Sequence, residues 1–448
     1  MIELEHFPYK NILVLGLAKS GTAAAKLLLR NQCFVRVNDY SSSKEEAHVQ
    51  KLMEQGAEVI VGAHPLTVLE DIDLIVKNPG ISYENVLLVE AQNRDIPIIT
   101  EVELAGKLAP EQSVIGITGS NGKTTTTTLV EEMLQKSDLP VKLAGNIGTA
   151  ATEVAQTLEA DDHFLLELSS FQLMGIDTFH PHVAALLNVH AAHLDYHGSM
   201  ENYVQAKANI IKNQTAEDYF IYNMDDTVVT RIASEAKAKL IGFSTQQKHV
   251  PGVWMDEDYF YFKEEKIVSR KSIRLVGNHN LENIAAAIAI VLSAGGSKDG
   301  VRKVLQTFSG VKHRLQFVQA VEDRLFYNDS KATNMLATEK ALQAFEQPTI
   351  LLAGGLDRGD DFHELIPFLS HVKSMVVFGE TKEHLQSLAN ELHIHVETAM
   401  NVEEAVNTAY YISTANDVIL LSPACASWDQ YSTFEERGDL FIQAVEAL

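Results

Sequence analysis

Residues 115–125 read IGITGSNGKTT and join a short apolar run to a stretch of helical period. The glycines allow backbone N–H groups to turn inward around phosphate oxygens, and the N-terminus of the following helix adds its positive end. Lys123 can reach the terminal phosphates of a nucleotide, and Thr124 can bind Mg²⁺. The standard phosphate-loop pattern has a glycine where this chain has Ile117, five positions before Gly122, so the loop is a shorter variant. The segment predicts a strand, a phosphate-binding loop and a helix in succession.

On both sides of this loop, apolar runs rich in β-branched residues alternate with longer segments of helical period. Such alternation is typical of parallel strands connected by helices. We therefore predict three consecutive α/β domains: a Rossmann-like domain at residues 1–104, a central P-loop ATPase-like domain with a mostly parallel sheet at 105–309, and a C-terminal Rossmann-like domain at 310–448. The predicted strands are 12–15, 34–37, 59–61, 74–76, 96–99, 113–118, 164–168, 183–189, 219–223, 240–243, 259–262, 266–268, 325–327, 349–353, 374–378, 395–398 and 418–421, with an antiparallel meander at 259–268.

The 448 residues carry 36 basic and 60 acidic side chains, which gives a formal net charge of −24. So acidic a chain repels nucleic acid and anionic membrane surfaces, and we expect neither as a partner. Only Cys33 and Cys425 occur, which is no disulfide framework. The first ten residues lack the pattern of a signal peptide, and no apolar run reaches the length of a membrane span. We expect a globular, cytoplasmic protein.

Residues 16–21 read GLAKSG and form a second glycine-rich loop, between the first predicted strand and a helical segment. The loop nearly fits the dinucleotide-binding fingerprint, but Ala18 replaces the middle glycine. Asp39 ends the next predicted strand, where a ribose-binding acid would stand. These residues alone are compatible with a nicotinamide-dependent oxidoreductase, with binding of another diphosphate, or with a purely structural turn.

Acidic and basic side chains near the central strands are candidates for a metal site. Glu167 ends a predicted strand, where a carboxylate is a natural Mg²⁺ ligand; the alternative is a capping acid for the next helix. Residues 188–197 hold three histidines and Asp195, which suggests zinc. Oxygen ligands dominate around the phosphate loop, so one histidine as a metal ligand or orienting group is the better prediction. Lys207 lies in a helical run and, judged alone, is predicted to be solvated.

Further polar clusters follow later in the chain. Asn280 and Asn283 lie one turn apart on one face of a predicted helix. His313-Arg314 begins the third predicted domain, and the segments NDSKATN at 328–334 and GGLDR at 354–358 each follow a predicted strand. Each cluster could be an ordinary turn. Their recurrence at successive strand ends predicts a shared cleft.

Together, these motifs resemble the Mur ligase family across the whole chain. The resemblance is carried by TGSNGKT at 118–124, GNIG at 145–148, ELSSFQ at 167–172, the segment 193–195, GNHNLEN at 277–283, HR at 313–314 and DSKATN at 329–334. The loop GLAKSG, NPGI at 78–81, SPACASWDQ at 422–430 and FEERG at 434–438 indicate the branch of the family that adds D-glutamate.

The resemblance implies ATP, two Mg²⁺ ions and a carbamylated lysine as cofactors. ATP would be bound by Gly119, Ser120, Asn121, Gly122, Lys123, Thr124, Thr125, Asn280, Asn283, Arg314 and Asp329. Mg²⁺ would be bound by Thr124, Glu167, His193 and Lys207 as a carbamate. The implied catalytic residues are Lys123, His193 and Lys207. The UDP-sugar substrate would be bound by Ser20, Asp39, Gly80, Asn146 and Gln172, and D-glutamate by Arg358, Ser427 and Phe434.

The reaction implied by the resemblance is an ADP-forming ligation in peptidoglycan precursor synthesis, carried out by a monomer. The alanyl carboxylate of UDP-N-acetylmuramoyl-L-alanine would be activated as an acyl phosphate and then joined to D-glutamate. The chain departs from the family pattern at Tyr40, where some members have a basic residue, and at Arg358, where a lysine is common. The alternatives are another ligase of the family, such as folylpolyglutamate synthase, a nicotinamide-dependent oxidoreductase, and a non-catalytic nucleotide-binding module.

Overall fold

The computed structural model describes residue 4, residues 7–275 and residues 277–448. The side chains of Asn278 and His279 lie outside the described part. The predicted contribution of His279 to the motif at 277–283 therefore also lies outside the described residues. The described residues form three β-sheets of five, nine and six strands. They group into two compact units, one of Met1–Ser272 with Leu281–Gln306 and one of Ile273–Asn280 with Thr307–Leu448.

The first sheet of the first unit is a doubly wound parallel sheet. It contains β1 (Asn11–Leu15), β2 (Phe34–Asp39), β3 (Glu58–Val61), β4 (Leu74–Lys77) and β5 (Ile98–Thr100), with α1 (Lys19–Arg30), α2 (Ala47–Glu54) and α3 (Val86–Asn93) between them. The strand order is β3-β2-β1-β4-β5. Val14 on one face of β1 packs with Leu28 of α1, and Leu13 on the other face packs with Leu88 of α3. Helices therefore cover both faces, which explains the continuous apolar runs.

The second sheet of this unit has the order β14-β13-β12-β11-β10-β9-β6-β8-β7. Its strands are β6 (Val114–Thr118), β7 (Val141–Gly145), β8 (His163–Glu167), β9 (Val183–Leu186), β10 (Tyr219–Asn223), β11 (Lys239–Phe243), β12 (Val253–Met255), β13 (Tyr259–Phe262) and β14 (Glu265–Ser269). The pairs from β7 to β12 are parallel, and β12, β13 and β14 form an antiparallel meander. The helices are α4 (Glu101–Leu108), α5 (Lys123–Gln135), α6 (Ala151–Ala155), α7 (Ser170–Leu173), α8 (Leu194–His197), α9 (Met200–Ala208), α10 (Thr227–Ala233), α11 (Asn278–Ser293), whose first residues belong to the second unit, and α12 (Lys298–Thr307).

Helix α4 joins the two sheets of the first unit through buried carboxylates. Glu101 accepts hydrogen bonds from Thr152 N (2.5 Å) and Thr152 Oγ1 (2.7 Å). Burial raises the pKa of Glu101 to about 7. Glu103 accepts from the N–H groups of Asp177, Thr178 and Phe179. These bonds connect α4, which follows β5, to α6 and to the segment before β9. They therefore join the first sheet to the second.

The second unit contains one mixed sheet of order β15-β16-β20-β17-β18-β19. Its elements are β15 (Gln316–Val321), β16 (Arg324–Asn328), α13 (Met335–Leu342), β17 (Thr349–Gly354), β18 (Val372–Phe378), α14 (Lys382–Glu391), β19 (His395–Thr398), α15 (Val402–Ile412), β20 (Val418–Leu421) and α16 (Phe434–Glu446). The pair β15–β16 is antiparallel and the other pairs are parallel. Leu351 of β17 packs with Leu385 of α14 on one face, and Leu352 packs with Phe441 of α16 on the other.

The predicted fold of three α/β domains with mostly parallel sheets is confirmed. Each predicted strand overlaps an observed one, and β7, β12 and β15 are additional strands that the sequence reasoning missed. The domain boundaries at residues 104/105 and 309/310 stay a prediction. Among the described residues, the helices are all too short or too polar to cross a lipid bilayer.

Candidate functional site

The phosphate loop connects β6 to α5, as the sequence predicted. Gly122 lies at the N-terminal cap of α5 in a left-handed backbone conformation (φ +81°). A Cβ atom at this position would lie 2.1 Å from Asn283 Oδ1, so only glycine fits. Asn283 also accepts a hydrogen bond from Thr126 Oγ1 (3.3 Å). Asn283 is thus part of the wall of the loop, and Thr124 is half-buried in the first turn of the helix.

The segment that follows β9 holds the backbone of the loop. Asn188 O accepts from Ser120 N (3.0 Å), and Asn188 Oδ1 accepts from Asn121 N (2.9 Å). Ser120 Oγ donates to His190 O (3.0 Å) and lies 2.9 Å from the hydroxyl of Tyr203. Sequence reasoning assigned no role to Asn188 or Tyr203. The position of Asn188 just beyond a buried strand is the signal that could have identified it.

Two lysines converge on one carbonyl oxygen of the loop. Lys123 Nζ donates to Gly119 O (2.7 Å) and Ser120 O (3.1 Å), and Lys207 Nζ donates to Gly119 O (2.8 Å). Lys207 is only 1% exposed, and its Nζ lies 4.8 Å from the centre of the Tyr203 ring. Burial, with a smaller contribution from the charge of Lys123, lowers the pKa of Lys207 to about 6. The prediction of a solvated Lys207 is therefore wrong, because α9 turns this side chain inward to the phosphate loop.

Glu167 provides a buried carboxylate beside the loop. It ends β8, in register with Ile117 of β6, and is 1% exposed. Its Oε1 accepts from Asn146 Nδ2 (2.9 Å), whereas its Oε2 has no hydrogen-bond partner among the described residues. The alternative of a capping acid is wrong, because Ser169 and Gln172 form the capping box of α7. A buried, unpaired carboxylate oxygen fits a hard cation such as Mg²⁺.

The predicted histidine ligand lies at the start of a short helix. His193 is exposed at the N-terminal cap of α8, with a left-handed backbone (φ +53°), and its ring contacts Phe171 edge-on at 5.1 Å. His197 is buried and stacked on Phe171, and its Nε2 lies 3.0 Å from Ser170 Oγ. Gln172 is buried, and its Oε1 accepts from Ser169 N (2.9 Å). Of the three histidines in residues 188–197, His190 and His193 are exposed and His197 is buried, so exposure alone does not single out His193.

The predicted UDP-sugar residues of the first sheet lie in neighbouring loops. Asp39 accepts from Leu17 N (2.7 Å) and from the N–H groups of Ser41 and Ser42 (2.8 Å each). Burial alone would raise the pKa of Asp39, but these backbone donors outweigh it and lower the pKa. Ser20 Oγ accepts from Asn78 Nδ2 (3.2 Å). Next to these loops opens a cleft of about 470 Å³, lined by Leu17, Lys19, Thr22, His48, Gly148, Thr149, Ala150 and Glu153.

In the second unit, Asp329 lies at the carboxyl end of β16. Its Oδ1 accepts from Leu315 N (3.1 Å) and its Oδ2 from Ser422 Oγ (3.0 Å). Burial raises the pKa of Asp329 to about 7, against a lowering by Ser422, Leu315 and the charge of Arg314. Asn280, which is also assigned to this unit, is buried.

The predicted D-glutamate residues lie in the second unit, which also holds a buried arginine. Arg437 is fully buried and donates to Ser330 O (2.9 Å) and Cys425 O (3.1 Å), so it connects the ends of β16 and β20. Ser427 Oγ is buried with no hydrogen-bond partner among the described residues. Phe434 begins α16, and its carbonyl accepts from Ser330 Oγ (2.8 Å). The exposed guanidinium of Arg358 lies over the ring of Trp428 at 5.1 Å.

Comparison with family models gives three matches that follow one another along the chain. Residues 10–100 match the model described as Mur ligase MurD-like, N-terminal domain. Residues 117–291 match the Mur ligase middle domain, and residues 313–425 match the Mur ligase, glutamate ligase domain.

Curated relatives are similar over their full length. A protein of Oceanobacillus iheyensis named UDP-N-acetylmuramoylalanine–D-glutamate ligase is 57% identical over 446 residues, which cover 99% of both chains. The protein of the same name from Bacillus subtilis is 51% identical over 100% of this chain and 98% of its own.

Solved structures share the fold at lower identity. MurF from Acinetobacter baumannii has a TM-score of 0.58 at 17% identity, over 99% of this chain and 93% of its own. The UDP-N-acetylmuramate-alanine ligase of Thermotoga maritima has a TM-score of 0.56 at 17% identity, over 98% and 99%.

Proposed function

Because the chain belongs to the Mur ligase family, we propose that it is the ATP-dependent ligase that joins D-glutamate to the alanyl carboxylate of UDP-N-acetylmuramoylalanine. The observation that carries the proposal is the phosphate loop. There, Lys123 and Lys207 converge on Gly119 O, and Glu167 has one buried carboxylate oxygen without a hydrogen-bond partner among the described residues. Cationic and metal-binding groups at one loop are what transfer of a phosphoryl group to an anionic carboxylate requires.

In this proposal, the loop residues 119–125 bind the ATP phosphates through their backbone N–H groups. Lys123 leaves the carbonyl oxygens of Gly119 and Ser120 to contact the transferred phosphoryl group and offsets the repulsion between two anions. Asn283 would contact the nucleotide from the wall of the loop, and Asn280, Arg314 and Asp329 are the further ATP-binding residues that we propose.

Thr124 and Glu167 are the residues that we propose to bind one Mg²⁺, with His193 and a carbamylated Lys207 at a second. Bound Mg²⁺ would supply positive charge to the phosphate oxygens and to the activated carboxylate. The unpaired Oε2 of Glu167 supports the first of these assignments.

The carbamate on Lys207 is supported by the state of its amine. Reaction with CO₂ requires the neutral form, and burial lowers the pKa of Lys207 to about 6. The product is an anion with two oxygens, which a hard cation prefers over an ammonium group. The negative charge of the carbamate would also lie near the ammonium group of Lys123. On unmodified Lys207, by contrast, the charge of Lys123 disfavours the protonated form.

The substrates would bind in separate parts of the chain. We propose that Ser20, Asp39, Gly80, Asn146 and Gln172 contribute to the UDP-sugar site, and that the cleft beside α1 is part of it. Arg358 would bind the side-chain carboxylate of D-glutamate, with Ser427 and Phe434 around the remainder of the amino acid. The hydroxyl of Ser427, which has no hydrogen-bond partner in the part of the chain that the structure describes, supports a polar ligand there.

We further propose that the protein works as a monomer in the cytoplasm. Cys33 and Cys425 are both free, buried thiols, which fits a reducing compartment. Light scattering of the purified protein tests the monomer, since a stable dimer would double the measured mass.

Phosphate release measured against a panel of acceptors and amino acids tests the function. We expect release only when UDP-N-acetylmuramoyl-L-alanine, D-glutamate, ATP and Mg²⁺ are all present. Comparable rates with L-glutamate and a folate acceptor would favour folylpolyglutamate synthase, and a preference for a diamino acid would favour a later ligase of the family. Release of phosphate that does not depend on the amino acid would contradict the proposal.

A further inference from the structure

Lys77 is a buried lysine to which the proposed chemistry gives no role. It ends β4 and is 1% exposed. Its Nζ donates to Pro79 O (3.1 Å) and to the hydroxyl of Tyr196 (3.2 Å), and it lies 4.7 Å from the centre of the Tyr83 ring. Burying an amine is unfavourable unless its hydrogen bonds are made, so these contacts hold the segment in a defined arrangement.

Tyr196 completes the arrangement from the other side. Its hydroxyl lies 2.7 Å from Ile81 O and 3.0 Å from Pro79 O. The hydroxyl oxygen accepts from Lys77, and the single phenolic proton is donated to one of these two carbonyls. The Tyr196 ring packs edge-on against Phe171 at 4.5 Å. Lys77 and Tyr196, which we call the brace, therefore connect the segment 78–81 to α8.

Each end of the brace lies beside a proposed binding site. In the segment 78–81, Gly80 is a proposed UDP-sugar contact, and Asn78 Nδ2 donates to Ser20 Oγ (3.2 Å). At the other end, α8 begins after His193, the proposed metal ligand. A helix of four residues has little stability of its own, so side-chain contacts such as those of Tyr196 set its position.

We propose that the brace couples the UDP-sugar loop to α8, so that a uridine nucleotide bound at residues 78–81 orders α8 and positions His193. Lys77 and Tyr196 are thus positioning residues, and the inference rests on the proposed UDP-sugar site. Coupling between two sites is reciprocal, so binding of a metal ion at His193 would strengthen nucleotide binding by the same factor.

Hydrogen exchange of the metal-free protein, with and without UDP, tests the brace directly. UDP is the probe because it lacks the muramoyl-alanyl part that would approach the metal site. We expect UDP to slow exchange in peptides covering 78–81 and also in those covering 194–198. In the Tyr196→Phe variant, which keeps the ring contact with Phe171, UDP should slow exchange at 78–81 only.

Two further variants complete the test. Lys77→Met should also lose the response at 194–198, and Tyr261→Phe, which removes a hydroxyl bonded to Asp256 in the β12–β14 meander, should keep it. If 78–81 responds and 194–198 does not in the wild-type protein, or if Tyr196→Phe responds like the wild type, the brace is wrong. If neither peptide responds to UDP, the UDP-sugar site and the brace both fail.

Steady-state kinetics provide a second readout. With Tyr196→Phe we expect the KM for the UDP-sugar substrate and the Mg²⁺ concentration for half-maximal rate each to rise about 3- to 10-fold, the range for one lost hydrogen bond. The KM for D-glutamate should stay unchanged. A loss of kcat of the same size, with every KM unchanged, would show a merely structural role for Tyr196 and contradict the brace.

Discussion

The side-chain amines of Lys123 and Lys207 both donate to Gly119 O in the phosphate loop. Sequence reasoning identified Lys123 from its place after the loop glycines, because that spacing reflects a local backbone requirement. The burial of Lys207 could not be read from the sequence. Whether a helical lysine faces solvent or a neighbouring loop depends on the packing of α9, which only the tertiary structure reveals.

At the scale of single residues, Lys123→Ala should abolish turnover while leaving the fold intact. The side chain is half-buried in a polar loop, so its loss should change the free energy of unfolding by less than about 1 kcal/mol. Without its charge, kcat should fall by at least about 100-fold. Phosphate release and urea unfolding provide the two measurements, with Lys136→Ala at the exposed end of α5 as the control. A well-folded variant that kept a tenth of the wild-type kcat would contradict the assignment.

Lys207→Ala should also lose most activity, and acetate should restore part of it by supplying a carboxylate at the same position. The carbamate should give a ¹³C NMR signal after equilibration of the wild-type protein with ¹³CO₂, and this signal should be absent from the variant. Lys212→Ala is the control, because Lys212 lies shortly after Lys207 in the chain but is exposed, and its Nζ donates to Ile176 O at 3.4 Å. Full activity of the wild-type protein in CO₂-free buffer would exclude a carbamate.

Arg358→Ala should raise the KM for D-glutamate at least about 10-fold, the expected loss for a charged hydrogen bond, and should leave the KM for ATP nearly unchanged. Arg358→Lys should recover part of the affinity, since it keeps the charge but not the bidentate geometry. Initial rates at varied amino acid and varied ATP measure both constants. Equal increases in the two KM values would place Arg358 outside the amino acid site.

At the scale of elements, the missed strands share a cause. β7 and β15 are mostly half-buried and mix polar with apolar residues, and β12 has three residues. The strands that were predicted, such as β6 and β20, are buried along their whole length. Strands that are covered on both faces stand out as continuous apolar runs. Partly covered and very short strands depend more on their neighbours for stability, and only some of them, such as β19, were predicted.

Helix α4 provides a prediction about pH. The pKa of Glu101 is raised to about 7 in the folded protein, so the folded state binds this proton more tightly than the unfolded state. The carboxyl group therefore stabilises the fold below its unfolded pKa, and this contribution is lost as the pH rises through about 7. Measured against Glu101→Gln by urea unfolding, the wild-type free energy of unfolding should fall by about 1–3 kcal/mol between about pH 5 and pH 8.

The control for this experiment is Glu153→Gln. Glu153 is an exposed residue of the nearby helix α6, and its charge makes the smallest of the contributions to the raised pKa of Glu101, so its variant should follow the wild-type pH dependence closely. A constant difference between the wild type and Glu101→Gln across this range would contradict the buried, proton-binding state of Glu101.

For the whole molecule, the fold class and the family followed from motifs that occur in a fixed order, and most of these motifs lie in loops at the ends of strands. The contacts that connect distant motifs did not follow. Asn146 bonds the Glu167 carboxylate, and Arg437 joins the ends of two strands; both depend on segments that are far apart in sequence. Pairings of this kind arise from the sheet topology, which a single sequence does not specify.

The central claim is that the alanyl carboxylate is activated as an acyl phosphate before D-glutamate attacks it. The most direct test uses UDP-N-acetylmuramoyl-L-alanine labelled with ¹⁸O in that carboxylate and follows the label by mass spectrometry. One ¹⁸O atom should appear in the inorganic phosphate for each amide bond formed, because the bridging oxygen leaves with the phosphoryl group. Amide formation with unlabelled phosphate would contradict the account.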